Sequence, residues 1–264
     1  MHWRDEGPRE DPQPLLLIHG TSASLHTWEG WVAELRKTRR VITFDLPGFG
    51  LTGPSAAGDY SDAAYIDFVK RLLDRLALDR VVLGGNSLGG QIAWEFAAAE
   101  PARVAALVLV DAGGYAFTPQ SVPLGWRFAQ IPLLGQISRY VLPRRLIESS
   151  VRNVYGDPSK VTEATVERYY ELTLREGNRE ALRQRFAQWV PGQYVDRLAG
   201  LRQPTLILWG GRDRLIPPEN GAAFARDIAG SRLVRFPDLG HVPQEEDPAA
   251  TLEPVLTFLH SLKP

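Results

Sequence analysis

The chain of 264 residues is 44% hydrophobic and 23% charged, enough apolar material for one large domain or a core that carries an insertion. Its 30 basic and 31 acidic residues are interleaved and give a formal net charge of -1, which excludes a broad field for gathering nucleic acid or an anionic membrane and favours a small, near-neutral partner. Cysteine is absent, which excludes disulfides, thiolate ligation of metals and thiol catalysis.

In chain order, the first ten residues, MHWRDEGPRE, are charged where a signal peptide needs an apolar stretch. No window approaches the roughly 18 apolar residues of a membrane span. The expectation is a soluble, cytoplasmic protein, monomeric or homodimeric. Short apolar runs follow at 15–18, 41–45, 81–85, 104–110, 205–209 and 233–236, and each closes in a turn containing Gly or Asp. Runs this uniformly apolar predict strands buried on both faces, as in a parallel sheet.

Helical patterns lie between them. From the caps Ser61 and Asp62, the apolar positions Tyr65, Phe68, Val69, Leu72, Leu73 and Leu76 follow the i, i+3, i+4, i+7 spacing. A second helix should start at Ser87 and run to about Glu100, stopped by Pro101. Segments 217–229 and 247–261 complete alternating β and α units, hence a doubly wound α/β sheet. Over 115–200 the strand pattern gives way to amphipathic helix, with Val166, Tyr169, Tyr170, Thr173 and Leu174 on one face and Leu182, Phe186 and Trp189 on another. Pro119, Pro123, Pro132 and Pro143 at its start suggest a lid wrapped over the sheet. The expected division is a core of 1–114 and 201–264 with a helical cap at 115–200.

The residues Gly85-Asn86-Ser87-Leu88-Gly89 fit G-x-S-x-G between a predicted strand and a predicted helix, the context this motif requires. A sharp strand-to-helix turn holds the serine in strained geometry, and side chains at 85 and 89 would meet neighbouring backbone. A plain Gly-Ser loop that caps a helix is the competing reading of the bare motif. A serine hydroxyl needs a base to take its proton and a third group to hold that base. Of five histidines, His2 and His260 lie near the termini and His26 sits in a loop close to the second strand, whereas His241 follows the last strand and is delivered to the Ser87 edge. Asp213 follows the preceding strand and gives the order Ser, Asp, His; Asp111, at the end of an earlier strand on the same edge, competes for the acid role. Asp45 reads as the brace of a turn. An oxyanion needs two preorganised donors, expected from the Leu88 N–H and from Thr21 N–H in the loop IHGTSAS.

Taken together, LLLIHGTSAS, VITFDLPGFGLTGP, GGNSLGG, LILWGGRDRLIP and LGHVPQEEDP resemble the α/β-hydrolase family in its own motif order, over nearly the whole chain. The resemblance implies a sheet of about eight strands with a helical cap inserted after the sixth, although only HWRDEG is available for the usual pair of antiparallel N-terminal strands. It also implies nucleophile, acid and base at Ser87, Asp213 and His241, with oxyanion donors at Thr21 and Leu88. Dehalogenases and epoxide hydrolases of this family place Asp at the nucleophile, unlike Ser87. Hydrolases of aromatic meta-cleavage products usually carry Trp directly after the histidine, where this chain has Val242.

The leading expectation is therefore a carboxylesterase for small to medium esters, with cleavage of a carbon-carbon bond or a lactone as the alternative and a non-catalytic ligand receptor as a third reading. Trp126, Phe128, Tyr169, Tyr170, Phe186 and Trp189 offer apolar area to line an acyl pocket or to pack the cap onto the sheet. There is no H-E-x-x-H and no cluster of carboxylates spaced as ligands, so no metal and no cofactor are expected.

Overall fold

Successive residues of the central strands turn to opposite sides of one sheet, and both sides are covered. A computed structural model describes residues 1–116, 118–124, 126–127 and 140–262. The strands are β1 (Trp3–Glu6), β2 (Leu15–Ile18), β3 (Val41–Phe44), β4 (Val81–Asn86), β5 (Val104–Val110), β6 (Thr205–Gly210) and β7 (Arg232–Phe236), in spatial order β1-β3-β2-β4-β5-β6-β7. Strand β1 runs antiparallel to β3, and every other neighbouring pair is parallel.

The six apolar runs of the sequence each become a strand, and the seventh, β1, has no apolar run to betray it. Its residues WRDE, half-buried apart from Trp3, form the outer edge of the sheet, where one polar strand suffices. The antiparallel N-terminal element is thus a single strand, and among the described residues the sheet has seven strands where the resemblance implies about eight.

The helices are α1 (Glu29–Leu35), α2 (Asp62–Arg75), α3 (Leu88–Ala99), α4 (Arg144–Val154), α5 (Glu163–Leu174), α6 (Asn178–Gln188), α7 (Pro218–Asp227), the single turn α8 (Pro243–Glu246) and α9 (Pro248–Ser261). On one side of the sheet Leu16, Ile18, Phe44, Leu83 and Leu109 pack with α2, α3 and α7. On the other, Leu15, Leu17, Val82, Val108 and Leu208 pack with α1 and α9. Helices α4 to α6 all lie between β5 and β6, and among the described residues no strand interrupts them. No helix among the described residues is long and apolar enough to cross a membrane.

Two details of α2 and α3 bear on the site. Ser61 Oγ accepts the Ala64 N–H at 3.2 Å and is the cap of α2, which leaves the buried Asp62 for another partner. Ser87 stands immediately before α3, which ends at Ala99, two residues before Pro101.

Leu83, fully buried on the central strand β4, tests this packing. Leu83→Ala should lower the unfolding free energy by about 2–5 kcal/mol, read from urea unfolding, because the sheet and α3 cannot close on the space left behind.

Candidate active site

Parallel strands send their C-terminal ends to one edge, so the loops after β2, β4, β5, β6 and β7 carry Thr21, Ser87, Asp111, Asp213 and His241 to the same side of the sheet. Ser87 has φ 54° and ψ -118°, a conformation that L residues avoid. It is pinned there by its own N–H to Val110 O at 3.0 Å and by the Gln91 and Gly113 N–H groups, both 2.9 Å from Ser87 O. A Cβ at Gly85 would sit 2.2 Å from the carbonyl of Gly89, and one at Gly89 would sit 2.1 Å from Ile18 O. Both glycines are therefore required by backbone contact, as the motif predicts.

His241 Nδ1 lies 2.7 Å from Asp213 Oδ2, and both residues are buried. A carboxylate can only accept, so the proton of this bond sits on Nδ1 and the Nε2 lone pair is left available. Nε2 is buried and has no hydrogen-bond partner among the described residues. Asp213 Oδ1 accepts the N–H groups of Leu215 at 2.8 Å and Ile216 at 3.0 Å. The backbone of His241 is held as well: its N–H donates to Val154 O at 2.8 Å, and Asn86 Nδ2 donates to His241 O at 2.9 Å. Asp111, the competing acid, is also buried here, and one side-chain atom from each of Asp111, Asp213 and His241 lies within 4.8 Å of the other two. The imidazole bonds to Asp213.

Leu88 opens α3, so its N–H has no acceptor within the helix and carries the positive end of the dipole. Thr21 approaches from the loop after β2. Gly20 makes that approach possible, since a Cβ there would stand 3.0 Å from Asn86 Oδ1 and 3.1 Å from Ser87 Cβ. His19 fixes the loop behind it. Its Nε2 accepts the Leu46 N–H at 2.9 Å, so Nδ1 holds the proton and donates to Gly20 O at 2.7 Å. Burial pulls the His19 pKa down, consistent with a neutral ring. Asp45 does brace a turn, accepting the N–H groups of Leu25 and Leu51, each at 2.8 Å.

Two cavities flank this point. One of about 180 Å³ is bounded by Ser87, Leu88, Gln91, Arg185, Phe186 and Trp189. The other, about 90 Å³, is walled by Ile147, Val151, Tyr169 and Leu182. Thr21 and Trp126 belong to both and form the partition. Among the aromatics expected to line a pocket, Trp126, Tyr169, Phe186 and Trp189 do so, Tyr170 packs instead against the cluster around Val151 and Val166, and Phe128 lies outside the described residues.

The sequence reading missed the polar floor of the larger cavity. Arg185 of α6 pairs with Asp62 at 2.7 Å, and Gln91 Nε2 reaches Asp62 Oδ2 at 3.1 Å and Glu95 Oε1 at 2.9 Å. Burial, and then the Asp62 charge, push the Glu95 carboxyl up to about 8. Gln91 was available to sequence reasoning, because it stands one helical turn after Ser87. Arg185 carried no signal that separated it from the other arginines of its segment. Glu246 was missed too: it accepts the N–H groups of Gly156, Asp157 and Gly240, and so ties the histidine loop to the chain after α4.

A family model described as the alpha/beta hydrolase fold matches residues 13–248. This chain belongs to the α/β-hydrolase family. Among its relatives, 2-hydroxy-6-oxo-2,4-heptadienoate hydrolase of Pseudomonas putida F1 is 32% identical over 93% of this chain and 88% of its own. The 2-hydroxymuconate semialdehyde hydrolase of Pseudomonas sp. CF600 is 31% identical over 93% of this chain and 86% of its own. Among solved structures, a meta-cleavage product hydrolase from Pseudomonas fluorescens IP01 superposes with a TM-score of 0.84 at 25% identity, covering 99% of this chain and 94% of that one. A thermophilic esterase from Thermogutta terrifontis superposes with a TM-score of 0.80 at 28% identity, covering 99% and 93%.

In this α/β-hydrolase the elbow strain is measurable. Ser87→Gly should raise the unfolding free energy by about 1 kcal/mol, since relief of roughly 1–3 kcal/mol of backbone strain exceeds the extra unfolded-state freedom of glycine, about 0.4–1 kcal/mol. A drop in thermal or urea stability of this variant would contradict a strained Ser87.

Proposed function

We propose that this α/β-hydrolase is a serine hydrolase that cleaves small to medium carboxylic esters through an acyl-enzyme on Ser87. The observation that carries the reading is the His241 imidazole, bonded through Nδ1 to Asp213 with Nε2 buried and unpartnered among the described residues, at the edge where Ser87 stands. Ser87 Oγ attacks the ester carbonyl while His241 Nε2 takes its proton, and Asp213 holds the ring and stabilises the imidazolium. The Thr21 and Leu88 N–H groups receive the oxyanion. The tetrahedral intermediate collapses as His241 returns the proton to the departing alcohol, and water repeats the cycle on the acyl-enzyme to release the acid.

The segment 115–200 serves in this reading as a cap, its aromatic side chains walling the two cavities and excluding water from the carbonyl. A partition at Thr21 and Trp126 suits a substrate with an apolar group on each side of the reacting carbonyl.

A second reading is hydrolysis of a carbon-carbon bond beside a ketone or of a lactone by the same residues. It is favoured by two of the relatives, 32% and 31% identical, which bear the names of hydrolases of 6-oxo-dienoate or semialdehyde compounds. The same attack on a carbonyl opens the bond, provided the departing carbon fragment is stabilised by conjugation.

Ser87→Ala should cut the turnover of p-nitrophenyl esters by about a thousandfold or more while circular dichroism shows an intact fold, and retained turnover would sink the ester mechanism. In a panel of p-nitrophenyl esters, lactones and vinylogous 1,5-diketones, kcat/KM should be largest for an ester. A diketone or lactone preferred by about a hundredfold would give the second reading priority.

A further inference from the structure

Beside Asp213 stands a second carboxyl for which the hydrolytic mechanism has no role. Asp111 ends β5 with φ 43° and no exposed surface. Its Oδ1 accepts the Gly210 N–H at 2.9 Å, whereas Oδ2 is buried without a hydrogen-bond partner among the described residues. The groups that face it are Asp213 from the loop after β6, His241 from the loop after β7 and Glu246 from α8, the last already bonded to three backbone N–H groups.

The donors decide which of the two aspartates carries the charge. Asp213 accepts from His241 Nδ1, Leu215 N and Ile216 N, at 2.7, 2.8 and 3.0 Å. Among the described residues, Asp111 accepts from one backbone N–H. Two carboxylates this close, out of water, do not both ionise, and the better-solvated one keeps the charge.

We propose that Asp111 is a positioning residue held as a neutral carboxylic acid while Asp213 is the anion, and that it becomes the anion beside His241 when the Asp213 charge is removed. The proton on Oδ2 replaces a second buried charge with a dipole and leaves the Asp213 carboxylate bound to one imidazole. Removal of the Asp213 carboxyl reverses the balance: the like charge is gone, His241 Nδ1 lacks its acceptor, and Asp111 is the remaining carboxyl of that cluster. Burial, and then the Asp213 charge, push the Asp111 carboxyl well above the usual carboxylate range, in the direction that this assignment requires. The inference rests on Ser87 hydrolysis only for its kinetic consequence.

The first test is therefore independent of activity. An infrared difference spectrum at neutral pH, wild type minus Asp111→Asn, should contain the carbonyl stretch of a protonated carboxylic acid. A carboxylate band in its place, with no such stretch, would overturn the assignment even if every ester were inert. The second test is a double-mutant cycle on p-nitrophenyl ester hydrolysis. Asp111→Asn should cost about tenfold more in kcat in the Asp213→Ala background than in the wild type, because only there does Asp111 carry the charge that orients His241. Equal costs in the two backgrounds would remove the reserve role. Should Asp213→Ala fail to fold, the infrared measurement still decides the protonation of Asp111. An absence of ester turnover in the wild type would count against the ester reading alone.

Discussion

The site depends on how closely three backbone segments meet at the end of β4. The carbonyl of Ile18 passes the first turn of α3 so near that position 89 has no room for a Cβ, and Gly85 meets the carbonyl of Gly89 in the same way. This closeness brings the loop after β2 against the N-terminus of α3, and it forces the residue between them into a positive φ. The Ser87 hydroxyl, the free N–H of Leu88 and the loop carrying Thr21 are consequences of one crowded crossing. Its cost is backbone strain, which the strand-end bonds of Ser87 to Val110 and Gly113 hold in place.

A second set of contacts fixes the histidine side, and it comes largely from the helices between β5 and β6. The Val154 carbonyl takes the His241 N–H, and Glu246 gathers backbone N–H groups from both the histidine loop and the chain after α4. Gly156 and Gly240 approach so closely that neither position admits a Cβ. At the opposite side of the larger cavity, Arg185 of α6 is drawn under the site by Asp62 of α2. The helices between β5 and β6 thus meet the rest of the chain through buried polar contacts at two separate places, one beside His241 and one at the floor beside Ser87.

Much of this was legible in the sequence because the responsible signals are local. Apolar runs located six strands, and the glycines around Ser87 announced the elbow, since each is needed by its own immediate backbone. The order of Ser87, Asp213 and His241 along parallel strands was enough to bring them to one edge. What stayed hidden is what depends on distant partners. Strand β1 is polar and marked only by its pairing with β3. Asp62 read as a helix cap because its true partner, Arg185, lies 123 positions away and looks like any surface arginine. Asp111 read as a rival to Asp213, whereas both share one buried space, a fact that neither spacing nor composition contains.

Ester and carbon-carbon hydrolysis begin with the same attack, so the residues at the edge of the sheet do not separate the two proposed readings, and the difference would have to come from the walls above. Val242 illustrates how. Its side chain is buried with Ile147, Val151, Tyr155 and Val166, beneath α4 and α5, and Ile147 and Val151 in turn wall the smaller cavity. The residue that follows the histidine therefore touches the cavity wall from behind. An indole in place of the valine would need space that these side chains now fill, and close-packed interiors yield such space only by moving their neighbours. Under the proposed Ser87 hydrolysis, the packing of α4 and α5 around position 242 shapes the smaller cavity that a departing alcohol or carbon fragment would meet, while the elbow, the imidazole and its aspartate would serve either reaction.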